Sequence, residues 1–164
     1  MEQKNDMIKV LVVEPEKAPY VKEIEPKLAS YQAEVDGYIQ AIYPFDDPVT
    51  IICNEEGKLN GLDLNRALRD ENGVIYDIVA GTFLVVGLSE DDFASLDDGL
   101  IKQFSEKYKT PEMFVAFNGK IMVLPMTESC KDVTRQEANN ERMQKKLYIT
   151  RQTIRTSGTN GQER

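Results

Sequence analysis

Histidine is absent from this 164-residue sequence, and so is tryptophan. Because histidine is the side chain whose ordinary pKa lies nearest neutral pH, its absence removes the usual general base of an active site. It also excludes Ser-His and Cys-His nucleophile pairs and most zinc and iron sites. Neither G-x-S-x-G nor S-x-x-K occurs among the serines. The sequence therefore predicts a protein that is not an enzyme.

Cysteine and long hydrophobic runs are also scarce. Cys53 and Cys130 are the two cysteines, and their separation is typical of neither a disulfide framework nor a zinc site. We therefore expect no bound cofactor and a reducing, cytoplasmic location. The longest nearly uncharged stretch, residues 78–88, is too short to cross a membrane as a helix. Residues 1–7 are polar and do not resemble a signal peptide.

The formal charge of −8 is unevenly distributed along the chain. Residues 1–128 contain 12 Lys and Arg against 24 Asp and Glu, a net charge of −12. Residues 129–164 contain 8 against 4, a net charge of +4. The composition thus predicts an acidic domain, residues 1–128, followed by a basic tail, residues 129–164, that is partly helical or disordered.

Apolar periodicity and turn residues predict an α+β fold with a mixed, largely antiparallel sheet and two to three helices. It is expected to form a single compact domain with a C-terminal tail. Strands are predicted at residues 9–14, 20–25, 38–43, 49–53, 74–77, 78–86, 114–117 and 120–124, the last two joined by the hairpin dipeptide Asn118-Gly119. Helices are predicted after Pro26 with Gly37 as C-terminal cap, over residues 64–69 with Asp63 as N-cap, and over most of residues 90–108 behind Ser89.

Residues 51–61, I-I-C-N-E-E-G-K-L-N-G, place two carboxylates, a glycine and a lysine behind an apolar run. A phosphate-binding loop would need a hydroxyl after the lysine, but Leu59 follows Lys58, and two carboxylates would repel a phosphate. The pattern favours a tight turn that Asn54 starts, with positive φ at Gly57 and a strand resuming at Lys58.

A small-ligand or divalent-metal module is the alternative function for this region. Its candidate ligand-binding residues are Asn54, Asp63 and Arg66, with Glu55 and Glu56 beside them. Arg66 and Arg69 are expected on one face of the short helix. Pairing of these arginines with neighbouring acids is favoured over anion binding, the acids being Asp63, Asp70 and Glu71.

Acidic pairs recur at the predicted turns and helix starts. Each alone is explained as a solvated cap, since acids favour helix N-termini. Together they could present a negative surface to a basic groove of a DNA-handling protein. The candidate partner-binding residues are Asp46, Asp47, Glu55, Glu56, Asp91 and Asp92. The strand aromatics are expected to pack in the core, namely Tyr38, Tyr43, Phe45, Tyr76 and Phe83.

The basic tail supplies a second kind of candidate contact. Arg142, Lys145, Lys146 and Arg151 could bind nucleic-acid phosphates. A solvated, partly helical extension and a contact with the acidic domain are the alternatives.

Five stretches together resemble one known family: residues 9–15 (K-V-L-V-V-E-P), 37–45 (G-Y-I-Q-A-I-Y-P-F), 52–61, 65–70 (N-R-A-L-R-D) and 75–87 (I-Y-D-I-V-A-G-T-F-L-V-V-G). The family is an uncharacterised domain found on phages, plasmids and conjugative elements of gut Firmicutes, and the similarity covers about residues 8–124. It implies no catalytic residues. Some members look similar to antirestriction or anti-CRISPR proteins. The resemblance therefore implies a counter-defence protein that binds and inhibits a host DNA-targeting nuclease, with type II CRISPR effectors among the candidates.

Overall fold

The computed structural model describes residues 6–126. The chain divides into two units, Met1–Met126 and Thr127–Arg164, and all the described residues lie in the first. This part contains ten strands and two helices, which confirms the predicted α+β class. In chain order they are β1 (Ile8–Val13), β2 (Tyr20–Ile24), α1 (Leu28–Val35), β3 (Ile39–Ile42), β4 (Val49–Asn54), β5 (Leu64–Arg69), β6 (Ile75–Ala80), β7 (Phe83–Leu88), β8 (Phe93–Ala94), α2 (Asp98–Lys107), β9 (Glu112–Phe117) and β10 (Lys120–Pro125).

A six-stranded antiparallel sheet is the centre of the fold. Its strand order is β2-β1-β7-β4-β3, and the short β8 pairs with the end of β7. β4 is buried along its whole length and β7 along nearly all of it. Neither strand alternates between apolar and polar residues, because both faces of the sheet are covered.

Each face of the sheet carries its own hydrophobic cluster. Tyr31 and Val35 of α1, four residues apart on one side of the helix, pack on the face that includes Val10 and Leu84. The opposite face packs against α2 and against the β5–β6 hairpin. Phe104 of α2 is fully buried there, and removing such a ring from water contributes about 2–3 kcal/mol.

Residues 64–69 form strand β5, so the prediction of a short helix behind Asp63 was wrong. β5 pairs with β6 around a turn in which the Asp70 carboxylate accepts the amides of Asn72 and Val74 at 2.9 Å. A six-residue helix would make few internal hydrogen bonds, whereas the hairpin satisfies the backbone and buries Ala67 and Leu68. Tertiary burial overrides the helix propensity of these residues.

The predicted helix over residues 90–108 is also shorter than expected. Ser89 does not begin a helix: it closes a turn, and its hydroxyl donates to the Asp92 carbonyl at 2.9 Å. β8 follows, and α2 begins at Asp98 with Asp97 as N-cap, whose carboxylate accepts the Leu100 amide at 2.8 Å.

Other local predictions are confirmed or refined. The β9–β10 hairpin turns at Asn118-Gly119, both with positive φ. The left-handed residue that ends α1 is Asp36 rather than Gly37. Gly37 is needed for space, because a Cβ there would lie 2.6 Å from the Asn54 amide nitrogen.

Candidate functional site

The β3–β4 loop and the β7–β8 turn meet at one end of the central sheet. Val49 is in register with Gly87, and the Leu88 amide donates to the Pro48 carbonyl at 2.8 Å. This juxtaposition brings together acidic residues that are distant in the sequence. We call the resulting group the acidic end, and it consists of Asp46, Asp47, Glu90, Asp91 and Asp92.

Contacts with α2 hold the β3–β4 loop in place. The Phe45 ring packs on Phe104 with centroids 4.8 Å apart, and the Lys107 ammonium lies 5.1 Å from the Phe45 centroid. The Asp47 carboxylate accepts from the Gln103 amide at 3.1 Å. The packing of Phe45 on Phe104 therefore fixes the position of the loop that carries Asp46 and Asp47.

The carboxylates of the acidic end are not neutralised by salt bridges within the part of the chain that the structure describes. Within residues 6–126, none of its five carboxylates makes a salt bridge with a lysine or arginine. Asp46, Glu90, Asp91 and Asp92 are exposed. Like charges gathered this way produce a negative potential that a cationic surface can neutralise.

Glu55 and Glu56 lie at the opposite end of the sheet from the acidic end. They follow the last residue of β4, whereas Asp46 and Asp47 precede its first, and six residues of strand span roughly 20 Å. The structure thus brings four of the six predicted partner-binding residues together, Asp46, Asp47, Asp91 and Asp92, and places the other two apart.

The predicted turn at residues 54–57 is confirmed, with two corrections to its detail. Gly57 does not have positive φ; it is required because a Cβ there would lie 2.7 Å from the Ala80 carbonyl oxygen. The turn continues through Gly61, which does have positive φ, so no strand resumes at Lys58.

Asn54 is committed to holding α1 against β4. Its side-chain amide donates to the carbonyls of Val35 and Asp36, both at 3.1 Å, and its side-chain oxygen accepts the Glu56 amide at 2.9 Å. An open cleft of about 320 Å³ lies beside it, lined by Gln32, Gly37, Tyr38, Asn54, Glu56 and Asn60.

Arg66, the second predicted ligand-binding residue, has a fully buried side chain. Its guanidinium donates to the Asn65 side-chain oxygen at 2.8 Å, the Lys17 carbonyl at 2.7 Å and the Tyr108 carbonyl at 2.8 Å. The expected pairing with Asp63, Asp70 or Glu71 was wrong. Asp63, the third candidate, is exposed on the loop before β5.

A β-bulge explains how two adjacent polar residues are both buried. Leu64 is in register with Ala80 and Arg66 with Val79, so Asn65 is an extra residue in β5. The Asn65 amide donates to the carbonyls of Val13 and Gly81 at 2.8 and 2.9 Å. Together Asn65 and Arg66 join β1, the β6–β7 turn, the β1–β2 loop and the end of α2.

Burial dominates the electrostatics around Arg66. It lowers the pKa of Arg66, against the nearby negative charge of Glu112. It also raises the pKa of the Tyr108 phenol well above its ordinary value of 10.0. The Arg66 Nε and the Tyr108 hydroxyl are both buried without a hydrogen-bond partner among the described residues.

Glu112 is an interacting residue that the sequence did not reveal. Its carboxylate accepts two hydrogen bonds from Arg69, at 3.2 and 2.7 Å, and these raise the pKa of Arg69. It also accepts the Ala67 amide at 3.3 Å. Glu112 therefore ties β9 to β5 across a sequence separation that no local pattern spans.

Three of the predicted core aromatics are on the surface. Tyr38, Tyr43 and Tyr76 are 68%, 64% and 56% exposed, whereas Phe83 is buried and Phe45 packs against the core. Tyr38 and Tyr43 flank β3, and in the part of the chain that the structure describes no strand covers the outer side of β3.

Three further predictions concern the basic tail, a metal site and a membrane span. Arg142, Lys145, Lys146 and Arg151 lie outside the described residues. Between residues 6 and 126, no three Cys, Asp or Glu side chains converge as a metal site would require. In the same range no helix is long and apolar enough to cross a membrane.

A family model for a domain of unknown function, DUF3846, matches residues 8–109. The chain belongs to the DUF3846 family. The DUF3846 match ends two residues beyond α2, not at residue 124 as the resemblance suggested, so β9 and β10 lie outside it. No curated protein and no solved structure matches the chain.

Proposed function

We propose that this DUF3846 protein is a non-enzymatic, cytoplasmic counter-defence protein of a mobile element. It acts by docking its acidic end on the basic, nucleic-acid-binding surface of a host DNA-targeting nuclease. Such a nuclease loses access to DNA while the acidic end occupies that surface. An RNA-guided type II CRISPR effector is the partner class to test first, because its channel is positively charged.

The clustering of five carboxylates at one end of the sheet, none of them in a salt bridge within residues 6–126, carries this proposal. An even scatter of acids would serve solubility alone, whereas a concentrated patch attracts an oppositely charged surface and accelerates encounter. The patch is also rigidly presented, since Phe45 anchors one loop in the core and hydrogen bonds close the other. The resemblance to mobile-element proteins supplies the class of partner.

The first experiment identifies the partner. The tagged full-length protein is used to recover bound proteins from host lysate, and any nuclease recovered is assayed for DNA cleavage with and without the protein. Recovery of a nuclease whose cleavage is inhibited supports the proposal. Recovery of no nuclease, or of one that cleaves at the same rate, contradicts it.

A matched pair of charge reversals then locates the surface. Asp46→Lys with Asp91→Lys alters the acidic end, and Glu55→Lys with Glu56→Lys alters the opposite end. Each pair changes the formal net charge from −8 to −4, since each substitution adds two charges. None of the four side chains makes a hydrogen bond or salt bridge among the described residues, so both variants should fold.

Reversal at the acidic end should lower the association rate by on the order of ten-fold at low salt, and added salt should reduce the difference. Reversal at Glu55 and Glu56 should have a much smaller effect, because those charges lie roughly 20 Å away. Equal loss in the two variants would mean that net charge alone acts. No loss in either would refute docking through the acidic end.

A further inference from the structure

Within residues 6–126, β2 and β3 are the two outer strands of the central sheet, and they differ in how their outer edges are protected. β2 carries Lys22 and Glu23, and Lys22 forms a 2.6 Å salt bridge with Glu34. β3, I-Q-A-I, has no charged residue, no proline and no bulge. Among residues 6–126, no strand pairs with its outer side. Soluble proteins usually blunt such edges, because an unprotected one accepts another strand.

The register of β3 on β4 identifies the backbone groups of β3 that β4 does not use. Tyr38 and Glu55 form a hydrogen-bonded pair, with the Glu55 amide donating to the Tyr38 carbonyl at 2.8 Å. Hydrogen-bonded residues alternate along an antiparallel strand, so Gln40 also faces β4. The amides and carbonyls of Ile39 and Ala41 therefore point away from the sheet.

Charge and aromatic exposure at the two ends of β3 indicate what could bind there. Tyr38 and Tyr43, both more than 60% exposed, flank the strand. Beyond them lie Asp36 at one end and Asp46, part of the acidic end, at the other, both exposed. A segment paired with β3 would thus meet uncharged backbone in its middle and carboxylates at both ends.

We propose that the outer edge of β3 accepts an extended segment of the partner, with a neutral centre and lysine or arginine at its flanks. The segment adds a strand to the sheet beside β3, and its basic flanks reach Asp36 and Asp46. This inference rests on the proposed function and adds the mode of binding to it. A second copy of this chain is disfavoured as occupant, because its own acidic flanks would repel those of the first.

The first test uses a synthetic peptide as probe. It has alternating valine and threonine in the centre and two lysines at each end, and its control has glutamates in place of the lysines. Amide hydrogen exchange on the full-length protein should slow by about ten-fold or more at Ile39 and Ala41 with the lysine peptide. No protection at these amides, or equal protection by the glutamate peptide, would overturn the proposal.

The second test blocks the edge without disturbing the sheet. Ala41→Pro removes an amide that β4 does not use, a change that outer strands tolerate, and Ala41→Ser keeps the amide as matched control. Ala41→Pro should abolish protection by the lysine peptide and Ala41→Ser should retain it. Equal urea midpoints for the two variants would establish that both fold. Protection that survives Ala41→Pro would refute strand addition.

The same variants separate this inference from the proposed function. If the protein inhibits a nuclease through strand addition, Ala41→Pro loses inhibition and Ala41→Ser keeps it. If Ala41→Pro inhibits as well as the unaltered protein, counter-defence stands and strand addition is wrong. If even the unaltered protein inhibits no recovered nuclease, the proposed function fails while the peptide result still decides whether the edge binds strands.

Discussion

Replacing Asn65 by alanine should destabilise the domain more than replacing its charged neighbour Arg66 by methionine. Asn65→Ala leaves the Arg66 guanidinium buried but removes one of its acceptors. It also removes the donors to the Val13 and Gly81 carbonyls. Arg66→Met removes the cation itself, so no buried charge is left without its hydrogen-bond acceptor.

The expected magnitudes follow from these contacts. A buried carbonyl without a donor costs about 1–3 kcal/mol, and a buried cation that loses a partner costs more. Asn65→Ala should therefore lower the free energy of unfolding by about 3–5 kcal/mol. Arg66→Met leaves the Tyr108 carbonyl and the Asn65 side-chain oxygen without the Arg66 donor. It also removes the cost of desolvating the guanidinium. Its net cost should stay within about 2 kcal/mol.

A double-mutant cycle measures the coupling between these two residues. In the Arg66→Met background, Asn65→Ala no longer removes an acceptor from a buried charge. The loss of unfolding free energy caused by Asn65→Ala should therefore be about 1–3 kcal/mol smaller there. The assay is urea unfolding of all four proteins, with stability compared through the midpoint at a constant denaturant slope. Domains of this kind are stable by only about 5–15 kcal/mol, so the shifts are measurable.

Two results would refute this reasoning. If Arg66→Met destabilises the domain as much as Asn65→Ala, the guanidinium is a net source of stability and not a buried charge that needs its acceptors. If the two effects are additive, the 2.8 Å contact between the residues contributes nothing.

Three further predictions concern other buried groups. Tyr108→Phe removes a buried hydroxyl without a partner among the described residues, so it should preserve stability or raise it by about 1–2 kcal/mol. Because burial raises the pKa of Tyr108, the unfolded chain loses this proton first as the pH rises. Above pH 10.0 this one group should lower the stability of the unaltered protein by about 1.4 kcal/mol per pH unit. Urea midpoints measured against pH should therefore fall less for Tyr108→Phe than for the unaltered protein. Gly57→Ala should lower the unfolding free energy by about 2–3 kcal/mol, because its Cβ would clash with the Ala80 carbonyl oxygen. Gly61→Ala meets no atom within 4 Å and should cost only about 1 kcal/mol for its left-handed backbone. Equal urea midpoints for the two variants would contradict this. Burial raises the pKa of the Cys53 thiol, so iodoacetamide should alkylate Cys53 only as urea unfolds the domain. Mass spectrometry measures this alkylation, and rapid alkylation in the native state would refute the prediction.

The predictions from sequence that held are those with strong local causes. The apolar runs of β4 and β7 are strands because each buries both faces. Asn118-Gly119 formed its hairpin because both residues tolerate positive φ. The predictions that failed had weak local causes. Residues 64–69 are good helix formers, but burial against the sheet and pairing with β6 outweigh propensity in so short a segment.

The individual residues of the candidate site could be predicted from the sequence, but which of them lie close together could not. The sequence marked Asp46, Asp47, Asp91 and Asp92 as acidic turn residues. That these turns share one end of the sheet follows from the pairing of β4 with β7, which joins strands far apart in the chain. Tyr38 and Tyr43 were expected in the core because strand aromatics usually pack there. They are exposed because, among the described residues, no strand lies beyond β3 in the sheet.

Composition and local pattern alone determined the α+β class, the acidic charge and most strand positions, because these depend on residues close together in the chain. Only the tertiary structure decided which strand is an outer strand, which carboxylates gather and which arginine is buried. The bulge at Asn65 and the contact of Arg66 with the Tyr108 carbonyl join segments that are neighbours only after folding. Long-range pairing sets these features, and a single sequence carries no local signal of it.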